Sequence, residues 1–90
     1  AQHLPKWLTA YELALGIYDE VIAALPSHEL AALSYYYKGC LLWKMRSYAD
    51  AVESLQSLIR RFPKHELVPE SYLYITKIYL NQSRREFQNS

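Results

Sequence analysis

Two histidine–glutamate pairs are the first residues in this chain that could do chemistry: His28-Glu29 within PSHEL (26–30) and His65-Glu66 within PKHEL (63–67). An imidazole beside a carboxylate becomes a zinc site when a second histidine follows on the same helix face, as in H-E-x-x-H. Neither copy continues that way, because the fifth positions hold Ala32 and Pro69. The reading is therefore no metal site, with each pair at or just inside a helix N-terminus, where a carboxylate favours the helix dipole and the leucine packs into the joint. Cys40 is the other candidate, with Lys38 and Lys44 near enough in sequence to lower a thiol pKa. No His, Asp or Asn stands at a helical spacing that would orient a base for it, so it reads as a small helical residue. The chain carries no catalytic constellation, and the expectation is a non-enzyme without cofactor.

Composition narrows the remaining classes. Ninety residues make one small domain at most, of a size that buries only roughly 60 to 65% of its unfolded surface. Ten Lys+Arg against nine Asp+Glu give a net charge of +1, too little for the basic field that nucleic acid demands. With 51% hydrophobic residues, nine tyrosines and two glycines, the chain reads as compact and helical. A lone cysteine leaves the redox compartment open. No apolar run approaches the roughly 18 residues of a membrane span. Beginning at Ala1 without a methionine, the chain reads as an excised or processed piece, with any targeting signal elsewhere.

The elements that must position these residues are helices punctuated by proline. Pro5 suits a first turn, and Leu8, Tyr11, Leu15, Tyr18, Ile22 and Leu25 recur at spacings of three and four, which predicts a helix over about 5–25. After Pro26, Ser27 is the expected cap of a helix over 28–45 that carries Leu33, Tyr36, Tyr37, Leu41 and Trp43. Ser47 with Asp50 predicts the next start, and Tyr48, Ala51, Val52, Leu55, Leu58, Ile59 and Phe62 give one apolar face over 47–62. Pro63 ends it. The last helix is expected over 66–81, tolerating Pro69 in its first turn and facing inward with Tyr72, Ile75, Ile78 and Tyr79; residues 83–90 read as a polar tail with little reason to stay folded.

Sliding the chain by 37 residues superposes Tyr11 on Tyr48, Ala14 on Ala51, Ile22 on Ile59, Pro26-x-His-Glu-Leu on Pro63-x-His-Glu-Leu, Ser34 on Ser71, Tyr35 on Tyr72 and Tyr37 on Tyr74. An internal period of roughly 20 to 50 residues with two helices per unit signals an α-solenoid. The unit resembles the tetratricopeptide repeats, whose signature is W-x2-L-G-x2-Y, then A-x3-F, then a closing proline. Here it is spelled Tyr35-x2-Lys38-Gly39-x2-Leu42, Ala51-x3-Leu55 and Pro63, with Lys38 departing from the usual leucine. A second-helix half (Ala14-x3-Tyr18, Pro26) precedes this unit and a first-helix half (Tyr72-x2-Ile75-Thr76-x2-Tyr79) follows it. The resemblance implies an all-α fold: a right-handed solenoid piece of about four antiparallel helices, one whole repeat between two halves, within a single domain over 1–82. Its joints, RFPKHELVPESYLYI and ALPSHELAALSYYYKG, are similar in texture to repeats of bacterial periplasmic proteins of outer-membrane assembly and the Tol-Pal system. That likeness implies a periplasmic or outer-membrane-associated scaffold, with a cytosolic adaptor as the alternative.

If Tyr35 and Gly39 face the repeat's own core, Tyr36, Cys40, Trp43 and Lys44 fall about 100° round, on the concave inner surface. With Leu73 and Lys77 of the last helix they are the expected partner-binding residues, for a protein or peptide. Repeats that clamp an acidic chaperone tail place Lys and Asn where this chain has Tyr36 and Cys40, which disfavours that role. The second hypothesis is structural: Leu4, Leu8, Tyr11, Leu15, Tyr18, Ile22 and Leu25 form a heptad seam that could pair with a second copy as a homodimer.

Overall fold

A computed structural model of the chain describes the backbone of residues 5–89 and the side chains of residues 5–82. It contains four α-helices: α1 (Lys6–Ala24), α2 (Glu29–Lys44), α3 (Tyr48–Arg61) and α4 (Val68–Asn89). Among the described residues there is no strand. Extensive packing runs between sequential neighbours, α1 on α2, α2 on α3 and α3 on α4.

Proline sets both long joints by the same mechanism. Leu25-Pro26-Ser27-His28 and Phe62-Pro63-Lys64-His65 are turns closed by the histidine N–H on the carbonyl three residues back, each at 3.0 Å. Proline occupies the second position of each, where its fixed φ suits a β-turn and its missing N–H costs nothing. The residues that end α1 and α3 match as well, Leu25 at φ −133, ψ 58 and Phe62 at φ −131, ψ 62. The repeat read in the sequence is thus also a repeat of backbone geometry.

The joint between α2 and α3 is built differently. Arg46 adopts φ 63, and the N–H groups of Arg46 and Ser47 close on the carbonyls of Trp43 and Leu42. This is a Schellman ending with a non-glycine residue in the left-handed position. It reverses the chain in three residues and so presses α3 closely on α2.

Five details depart from the sequence-based expectation. Ser27 does not cap α2; His28 does. Ser47 precedes α3 but makes no side-chain cap bond. The inward set of α4 is Ser71, Tyr74, Ile75 and Ile78, whereas Tyr72 and Tyr79 stand 57% and 51% exposed. The helix also continues past the expected end near residue 81 to Asn89. No Gly or Pro interrupts that stretch, and Gln, Arg and Glu are good helix formers. Its start is delayed to Val68 because Pro69, standing where Ala32 donates to His28 O in α2, has no N–H to donate.

The core is small. Leu42, Ala51, Val52, Leu55 and Ile78 form its buried centre, with Leu15, Tyr36, Trp43, Tyr48, Tyr74 and Ile75 packed around it. Gly39 lets α2 and α3 approach: a Cβ there would stand 2.7 Å from Leu55 Cγ. The buried Ser54 hydroxyl donates to Tyr35 O at 2.7 Å, tying α3 to the neighbouring turn of α2. Lys38, the departure from the repeat signature, pairs with Asp19 on α1.

Candidate functional site

The paired pentapeptides turn out to be joints. His28 Nδ1 accepts the Leu30 N–H at 3.0 Å, and His65 Nδ1 accepts the Leu67 N–H at 3.0 Å, so each ring satisfies an amide at the start of the next helix. With Nδ1 accepting, the ring proton of the neutral imidazole sits on Nε2. In His65 that Nε2 meets both carboxylate oxygens of Glu29, at 2.8 and 2.9 Å. The histidine of one unit therefore bonds the glutamate of the unit before it. Ser34 and Ser71 repeat one another too, each buried hydroxyl donating to the carbonyl of its own HEL leucine at 2.7 Å. His65→Asn, which keeps a cap acceptor but not the reach to Glu29, should cost about 0.5 to 1.5 kcal/mol. His65→Ala, which loses both, should cost more. Urea denaturation of the two variants checks this: a His65→Asn chain as stable as the original would show that the Glu29 contact contributes nothing, and equal costs for the two variants would show the same of the cap.

Of the residues expected on the concave surface, α2 and α4 bring together Tyr36, Cys40, Trp43 and Lys77. Tyr36 and Trp43 project from α2 about two helical turns apart and meet Tyr74 edge-on, at centroid distances of 6.1 and 5.2 Å. Lys77 Nζ lies 5.9 Å from the centroids of both Trp43 and Tyr74, within cation–π range. Cys40 sits between the two tyrosines, half-buried. Burial first, and the neighbouring Cys40 thiol next, push the Tyr36 and Tyr74 hydroxyls above the usual tyrosine range. The phenols stay neutral donors at ordinary pH.

Lys44, Leu73 and Lys77 are exposed and lie on the same two helices, Leu73 and Lys77 one turn apart on α4. The arrangement offers an apolar, aromatic floor with ammonium groups beside it. Tyr74 is its hub and was not among the expected site residues. Its helical spacing of three to Lys77 and four to Ile78 was the available signal. Two grooves lie elsewhere, one of about 290 Å³ bordered by Tyr35, Asp50 and Ser57, and one of about 500 Å³ bordered by Tyr48, Gln56 and Tyr79.

The expected self-association residues Leu8, Tyr11, Leu15 and Tyr18 are all half-buried, and Leu15 packs against the core. The apolar residues that α1 leaves most exposed are Trp7, Leu13 and Ile17. Leu4, the seam's first residue, lies outside the described residues. Among the described residues no group of three His, Cys, Asp or Glu side chains could hold a metal ion, and no helix is long and apolar enough to cross a membrane. Comparison with protein families, curated proteins and solved structures returns no match.

Proposed function

We propose that the chain is a non-enzymatic protein-binding scaffold of tetratricopeptide type, in which first helices α2 and α4 line the inner surface and second helices α1 and α3 stand behind them. The observation that carries this reading is the aromatic floor of Tyr36, Trp43 and Tyr74 with Lys77 over it, spanning two equivalent helices. Such a surface takes a segment with an apolar face and acidic flanks, as an amphipathic helix or an extended strand. Aromatic anchors, with Cys40 between two of them, supply the contact area and Lys44 and Lys77 the polar edge. The likeness of the joints to those of envelope repeats supports a periplasmic or outer-membrane-associated setting for this scaffold.

The test is a selection of binding peptides from a random display library on the immobilised chain. Peptides with clustered apolar residues and a net negative charge are expected. Lys77→Glu and Leu73→Ser should each weaken them about tenfold or more, while Leu13→Ser on α1 leaves them unchanged. Binders indifferent to Lys77 and Leu73 would overturn the assignment of this surface.

A further inference from the structure

The His–Glu contact between units leaves its two halves, at His28 and at Glu66, open among the described residues. Glu29 meets His65; shifted by one repeat, the corresponding residues are Glu66 and His28. His28 is bound through Nδ1 just as His65 is, at the same 3.0 Å, which leaves its Nε2–H as a donor. It is exposed and finds no acceptor among the described residues, and the exposed Glu66 carboxylate likewise finds no donor there. The chain presents a donor beside α1 and the matching acceptor beside α4.

The flanking helix faces follow the same logic. α1 corresponds to α3 and α4 to α2, so α1 of one copy laid on α4 of another would continue the order in which α3 lies on α2. Ile17 stands in the place of Ser54, and Tyr72 in the place of Tyr35, the residues whose hydrogen bond ties α3 to α2. In this chain both are apolar or aromatic and open to solvent, at 59% and 57% exposure. Leu13 on α1 and Tyr79 on α4 widen the two faces.

We propose that copies of this chain stack head to tail, α1 of one copy on α4 of the next, with His28 of the first donating to Glu66 of the second. The two surfaces differ, so the contact is heterologous and does not close on a dimer; it propagates into open chains or a ring. Thr76 and Tyr18 occupy the places of the interlocking Gly39 and Leu55. The joint between copies is consequently looser than the one between α2 and α3, and assembly is concentration-dependent.

Sedimentation velocity from low micromolar to near-millimolar concentration tests this on the 10.6 kDa chain. The weight-average mass should rise steadily past twice that of one chain. A constant monomer mass, or a plateau at two copies, overturns the proposal, the plateau by assigning a two-fold symmetric contact instead. Glu66→Lys and His28→Asp should each weaken assembly about tenfold; aspartate keeps a cap acceptor for α2, and an unchanged helical circular dichroism signal verifies folding. An equimolar mixture of these two variants should regain assembly, because the carboxylate introduced at 28 then faces the ammonium introduced at 66. Folded variants that assemble like the unsubstituted chain, or a mixture that stays monomeric, overturn it as well.

Discussion

Gly39→Leu should cost about 3 kcal/mol of folding stability, near the upper end for overpacking a tight core. The cause is specific: a Cβ at residue 39 would stand 2.7 Å from Leu55 Cγ, 2.8 Å from its Cδ2 and 3.3 Å from Ala51 O. Leu55 is fully buried, and a backbone oxygen can move only if α3 moves. Gly39→Ala should cost less, because replacing a mid-helix glycine also recovers about 1 kcal/mol of helix propensity. Gly16 supplies the control. Nothing lies within 4 Å of a Cβ added there, so Gly16→Ala should stabilise the chain by about 0.5 to 1 kcal/mol. Urea midpoints of the three variants decide the matter. A Gly39→Leu chain as stable as the original would mean that α2 and α3 do not cross at Gly39 and Ala51.

That crossing was legible because a glycine within a helix and an alanine twelve residues on are costly or uninformative unless two helices meet there. The joints were legible for a similar reason: Pro26 and Pro63 cannot continue a helix and sit well in a turn. What the sequence did not reveal depends on rotation and on distance. Tyr72 and Tyr79 lie seven residues apart, as an inward pair would, but so do Ser71 and Ile78, and only packing against α3 selects the second pair. Composition hides this because α4 has aromatic or aliphatic residues on both faces. The Glu29–His65 contact joins residues far apart in sequence, so no local periodicity can report it; the repeated pentapeptide marks both partners without showing that they meet. The cap was missed through a preference for serine. Ser27 has the commoner chemistry, but the Pro26 turn places His28, one residue later, at the helix start.

The same dependence on neighbours governs how the fold should come apart. Leu55 and Ile78 are both fully buried members of the central cluster, and truncating either to alanine should cost about 2 to 5 kcal/mol. Against a total of about 5 to 15 kcal/mol for a small domain, either loss is severe, yet the two should differ in where it appears. Leu55 lies on α3 at the crossing with α2, between helices that each also pack on another neighbour. Its loss weakens the centre of the array, and exchange protection should fall throughout α2, α3 and α4. Ile78 belongs to α4, whose extensive packing is with α3 alone. In an array held by neighbour contacts, weakening the last one releases the last element first. Ile78→Ala should therefore raise amide exchange across α4 and leave α2 and α3 close to their original protection. Hydrogen exchange read by mass spectrometry on peptides from each helix separates the two outcomes. Uniform loss across all four helices in the Ile78 variant would show one cooperative unit, and the nearest-neighbour account of this fold would have to be given up.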